Sequence, residues 1–113
     1  MSIVEKLMNN AEQDLDLLNK NDALGDNFAV PRVVDFVLYA PTAEKADLVA
    51  SFINDYAFGD AEATTHEGSH RILVQIEMPT TQHVLFAVSG FMQCLAQIYE
   101  LEYDGWGSEL RTS

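Results

Sequence analysis

Residues 61–79 read AEATTHEGSHRILVQIEMP, and this stretch decides the fold. From Arg71 to Met78, the apolar Ile72, Val74, Ile76 and Met78 alternate with Arg71, Leu73, Gln75 and Glu77. That is the period of a strand whose two faces differ. Pro79 ends it, because proline has no amide hydrogen to donate to a ladder. Ala61 to Glu67 is a weaker strand, carried mainly by Thr64 and Thr65, and Gly68-Ser69 is a turn signal. Two strands joined so tightly pair antiparallel. His66-Glu67-Gly68-Ser69-His70 also spells the zinc-protease pattern H-E-x-x-H. That chemistry requires a helix, so that both imidazoles project toward one metal ion. Here Gly-Ser fills the middle and no third ligand stands out downstream. The pentapeptide reads as a hairpin turn with surface histidines, and no metal ligand is expected.

Outward from the hairpin, Val33 to Ala40 is rich in Val, Phe and Tyr, lies between Pro31 and Pro41, and reads as a strand. Thr42 caps a helix whose apolar positions Ala46, Val49, Phe52, Ile53 and Tyr56 continue toward Gly59. On the other side, Thr80 or Thr81 caps a helix reaching about Leu101, and Glu102 to Ser108 forms a last short strand bent by Gly105 and Gly107. At the start of the chain, Ile3, Val4, Leu7, Met8, Ala11, Leu15 and Leu18 recur at helical spacing over residues 1–20. That is an amphipathic helix of about five turns. Asn21, Asp22, Gly25, Asp26 and Asn27 then form a turn-rich connection. The order is α-βαββαβ. Two β-α-β units joined by a hairpin predict an α+β, ferredoxin-like sandwich over residues 31–110. A four-stranded antiparallel sheet would carry two helices on one face, with the additional N-terminal helix completing a single domain over residues 1–113.

Strand alternation places Val34, Phe36, Leu38 and Ala40 with Ile72, Val74, Ile76 and Met78 in the core beneath the two helices. The opposite face then carries an apolar strip of Val33, Val37, Tyr39 and Leu73, rimmed by Asp35, Gln75 and Glu77. A rimmed strip of this kind is a docking surface, unless the first helix packs over it within the chain. The last helix has only Glu100 as a charged residue between Pro79 and Leu101, so it needs two neighbours to bury it: the sheet, and either the first helix or a second subunit.

The composition narrows the function. Of 113 residues, 48% are hydrophobic, enough for one globular core. Eighteen acidic residues against six basic ones give a formal charge of −12. Such a field repels phosphate backbones and anionic lipid, which excludes direct nucleic-acid binding and makes a membrane surface unfavourable. One cysteine, Cys94, cannot form an intramolecular disulfide and reads as a small buried hydrophobe. No signal peptide or membrane span is legible, so the expected location is the cytoplasm. No G-x-S-x-G elbow, phosphate loop or C-x-x-C pair occurs, and the carboxylates are dispersed. Neither a catalytic residue nor a cofactor is expected.

The most unusual segment is Tyr103-Asp104-Gly105-Trp106-Gly107-Ser108, which holds the single Trp. Its glycines permit backbone turns that let a large ring lie flat, either as a latch over one end of the core or as a partner-binding hot spot. Together with Gly25-Asp26-Asn27, Pro31-Arg32 and Val34-Asp35 ahead of the first strand, and with the α-βαββαβ order, this ending resembles the regulator of ribonuclease E activity B family. Phe36 stands where many members have His, and the long acidic extension of some members is missing. The resemblance implies a ferredoxin-like domain that binds the endoribonuclease RNase E and restrains RNA decay without being an enzyme. The partner is then a protein with a basic surface, and Asp35, Tyr39, Glu77 and Trp106 are the candidate contacts. A small-molecule-sensing module and a plain dimerisation module, with a homodimer burying the last helix, stay open as alternatives.

Overall fold

A computed structural model describes residues 2–112 of the chain. Helix α1 spans Ile3–Ala23, β1 Arg32–Ala40, α2 Ala43–Asp55, β2 Asp60–His66, β3 Ser69–Met78, α3 Gln82–Tyr99 and β4 Glu102–Ser108. The strand order is β2-β3-β1-β4, and every neighbouring pair is antiparallel. β1 and β2 therefore run parallel with β3 between them, and β3 and β4 run parallel with β1 between them. The expected α+β arrangement of a four-stranded antiparallel sheet and three helices is present.

Local chemistry explains the boundaries. Ser2 caps α1: its hydroxyl accepts the Glu5 amide at 3.2 Å and donates to the Glu5 carboxylate at 3.2 Å. Thr42 caps α2 by accepting the Lys45 amide at 3.1 Å. The H-E-G-S-H segment is the β2–β3 turn. Glu67 and Gly68, its two central residues, both have positive φ (50° and 81°), as in the mirror-image turns that match strand twist. Helix α3 closes at Glu100, which adopts a left-handed conformation while the Leu101 amide reaches back to the Ala96 carbonyl at 2.8 Å.

The core lies on one side of the sheet. Val34, Phe36 and Leu38 of β1 and Ile72 and Val74 of β3 are fully buried against Val49 and Ile53 of α2 and Leu85 and Met92 of α3. Alternation thus assigned the strand faces correctly. The first helix does not cover the other sheet face. It packs beside α3 and against β4, on the helical side. Only part of its apolar stripe is buried: Leu18 is enclosed and Ile3, Leu7 and Ala11 are half-buried, while Val4, Met8 and Leu15 stay exposed and the polar Asp14 lies on the inner side. Asn10 donates to Ser89 of α3 and Asp14 accepts from Trp106 of β4, and these bonds hold the polar side of the helix inward.

Candidate functional site: an acid-rimmed sheet face braced from behind

The exposed sheet face follows from pairing register. Asp35 lies opposite Gln75, Val37 opposite Leu73, Tyr39 opposite Arg71 and Val33 opposite Glu77. In β2, Asp60, Glu62 and Thr64 pair with Gln75, Leu73 and Arg71 and share this face. On the other flank Glu102 lies opposite Tyr39, and Asp104 lines a depression with Val37, Tyr39 and Arg71. Val33, Val37, Tyr39 and Leu73 therefore form an apolar strip set among six carboxylates (Asp35, Asp60, Glu62, Glu77, Glu102 and Asp104), with Arg71 on the face and Arg111 beside Asp35 at its end. The Asp35 carboxylate accepts the Gln75 amide at 2.9 Å, which holds it upright beside the strip. The hollows of this face, about 540 Å³ beside Asp35 and Gly107 and about 560 Å³ beside Tyr39, are partly open to solvent and lined by polar as well as apolar atoms.

Trp106 lies behind this face. Side chains three apart on a regular strand point to opposite sides, yet Tyr103 and Trp106 both face the helices. A bulge reconciles the two. Phe36 pairs with Trp106 and Leu38 with Tyr103, so Asp104 and Gly105 together oppose Val37. Gly105, within the bulge, adopts φ +92°, a left-handed conformation that glycine takes without a Cβ clash. The Trp106 indole then donates to Asp14 Oδ1 at 3.1 Å, Tyr103 and Ser89 share a 2.8 Å hydroxyl contact, and Asn10 donates to Ser89 at 3.1 Å. This polar cluster ties α1, α3 and β4 together. Burial pushes the Asp14 carboxyl above its ordinary value, against the opposing pull of the Ser89 and Trp106 hydrogen bonds. Burial likewise raises the Tyr103 phenol, against the pull of the Ser89 hydrogen bond and helped by the nearby Asp14 charge, so it stays neutral. Of the four candidate contacts, Asp35, Tyr39 and Glu77 share the open face, and Trp106 lies on the other side of the sheet.

A second brace closes the end of the sheet. Arg32 Nη1 donates to both Asp26 oxygens, at 2.6 and 2.8 Å, and its other donors reach the carbonyls of Asn27 and Val30. Asp26 also accepts the Arg111 amide at 2.9 Å, so the ion pair fastens the loop before β1 to the segment after β4. Both side chains are buried. The Gly-Asp-Asn and Pro-Arg signals of the sequence are thus two halves of one clamp.

The H-E-G-S-H letters lie in the β2–β3 hairpin and not on a helix. His70 Nδ1 sits 3.2 Å from the Thr65 hydroxyl, and among the described residues no group of three or more His, Cys, Asp or Glu is placed to hold a metal ion. Cys94 is half-buried on α3. No helix of the described residues is long and apolar enough to cross a membrane. Sequence reading missed Asn10, Asp14 and Ser89, since a polar residue on a helix reads as solvated until its distant partner is known.

Fold and surface together define a small acidic α+β domain that exposes one sheet face and braces its edge strand from behind. The family model described as regulator of ribonuclease activity B matches residues 11–108, and the chain belongs to that family. The match takes in both the Asp26–Arg32 clamp and the Tyr103–Trp106 strand. No curated protein matches the chain.

Proposed function

We propose that this protein regulates RNase E by binding a basic segment of it on the open sheet face, without catalysing a reaction, in the cytoplasm. Family membership supports the target class, and the six carboxylates around an apolar strip support the chemistry. The architecture is read as ferredoxin-like, with each crossover helix spanning one intervening strand. In this reading Asp35 and Glu77 meet arginine or lysine side chains, and Tyr39 offers a ring face to a guanidinium. Trp106 and Asp14 hold β4 in place behind them. Arginine-rich segments that hold RNA do so largely through charge, so an anionic competitor displaces the RNA.

The test is a titration of arginine-rich RNase E segments into the full chain, followed by fluorescence anisotropy over a salt series. Affinity is expected to fall about tenfold or more between about 0.05 M and about 0.5 M salt. Asp35→Lys and Glu77→Lys should weaken binding well beyond Asp47→Lys, which makes the same charge change on the outer side of α2. Affinity indifferent to salt, or equal losses at all three positions, would refute the reading.

A further inference from the structure

The helical layer carries a second surface, opposite in character to the sheet face. On α2 and the turn after it, Phe52 packs on Tyr56 and on Phe58, each at 5.5 Å between ring centroids. Phe58 stacks on Phe91 of α3 at 4.9 Å. These rings are not sealed beneath anything. Tyr56 is 70% exposed, Phe58 43%, Leu48 one turn before Phe52 58%, and Ile98 two turns beyond Phe91 74%. Helix α3 contains no Asp, Glu, Lys or Arg between Gln82 and Tyr99.

We propose that this aromatic face is a self-association surface, whose occupant is a second copy of the same chain. Three observations select that occupant. The first is charge. A molecule at −12 repels its own copies least where carboxylates are fewest; α3 has none from Gln82 to Tyr99, and on α2 Lys45 partly offsets Glu44, Asp47 and Asp55. The second is area. Side chains of this size bury about 150–250 Å² each when fully covered. At the exposures given, the patch amounts to roughly 500 Å² per copy, or about 1,000 Å² for a pair, the size at which specific interfaces begin. The third is complementarity. Lys45, the only base on α2, lies one turn before Leu48, and Asp55 lies one turn after Phe52. Two α2 helices apposed antiparallel about a two-fold axis near Ala50 set Lys45 of each copy against Asp55 of the other, with Leu48 meeting Phe52 between them.

The association has the opposite salt dependence to binding of a basic partner. Screening reduces repulsion between two anionic copies, so the dimer strengthens as salt rises. Sedimentation velocity on the full chain, over concentration and salt, tests this. A monomer–dimer equilibrium shifting toward dimer with salt is expected. Tyr56→Glu combined with Ile98→Glu should raise the dissociation constant at least about tenfold, since each buries a charge at the contact. Both positions are exposed in the single chain, so circular dichroism should show the fold intact. Lys45→Asp and Asp55→Lys should each weaken the homodimer, and a mixture of the two variants should recover association as a heterodimer. A chain that stays monomeric at every concentration and salt overturns the proposal. So does a dimer that is unmoved by the paired glutamates or unrestored by mixing. Sheet-face variants such as Asp35→Lys leave this equilibrium largely unchanged, so its failure is separable from failure of the RNase E reading.

Discussion

Asp14 is the residue whose environment departs furthest from what its type prefers. A carboxylate on a surface helix is ordinarily solvated, yet this one is 3% exposed and receives the Trp106 N–H. Removing that donor by Trp106→Phe leaves a buried acceptor short of a partner, and is expected to cost about 1–3 kcal/mol in urea unfolding. Asp14→Asn, lacking the charge, should be stable with a different pH profile. Because burial raises the carboxyl above 3.8, the folded protein binds that proton more tightly than the unfolded chain does. Wild-type stability relative to Asp14→Asn should therefore be greatest below pH 3.8. It should decline as pH rises through the folded-state value and level off above it. A difference that grows in favour of wild type over that range would contradict the assignment. Arg32 makes a starker case. Its guanidinium is enclosed by Asp26 and by backbone carbonyls, so Arg32→Ala strands a buried carboxylate and should cost about 3–5 kcal/mol, measured by the same unfolding experiment.

Among elements, β4 shows how local signals and long-range pairing share the work. Its limits, Glu102 to Ser108, were readable from Tyr, Trp and the flanking glycines, but its facing was not. Alternation alone sends Tyr103 and Trp106 to opposite sides, and only the pairing with β1 reveals the bulge that brings them together. The two glycines consequently differ in kind. A Cβ at Gly105 would touch nothing within 4 Å, so the whole cost of Gly105→Ala is its φ of +92°, on the order of 1–2 kcal/mol. Gly107 has neither positive φ nor a crowded Cβ, and Gly107→Ala should stay within about 0.5 kcal/mol of wild type. Thermal unfolding of the pair checks this, and equal losses would remove the bulge from the explanation. The strands β1 and β3 were legible throughout, because alternating burial depends only on neighbours in sequence. Helix α1 was legible as a helix and in part of its inward face, Ile3, Leu7, Ala11 and Leu18, but not in the polar residues that share that face. Its buried polar residues answer to Ser89 and Trp106, seventy-nine and ninety-two positions away from their partners Asn10 and Asp14.

Taken as a whole, the molecule segregates its charge. Carboxylates crowd the sheet face, while α3 presents an uncharged helix on the other side. Composition gave the net charge of −12 but could not give this partition, which depends on the strand register that gathers Asp35, Asp60, Glu62, Glu77, Glu102 and Asp104. The gathering has a cost, since like charges on neighbouring strands repel and the folded state holds them closer than the unfolded chain does. Added salt screens that repulsion over a length of about 10 Å at 0.1 M. The urea midpoint is therefore expected to rise as sodium chloride is added and to flatten once the carboxylates are screened. The same series should weaken attachment of a basic partner, because there the screened interaction is attractive. Stability and affinity then move in opposite directions along one salt axis. A general effect of salt on protein solvation would not divide them this way. If the midpoint falls with added salt, the crowded sheet face is not under electrostatic strain.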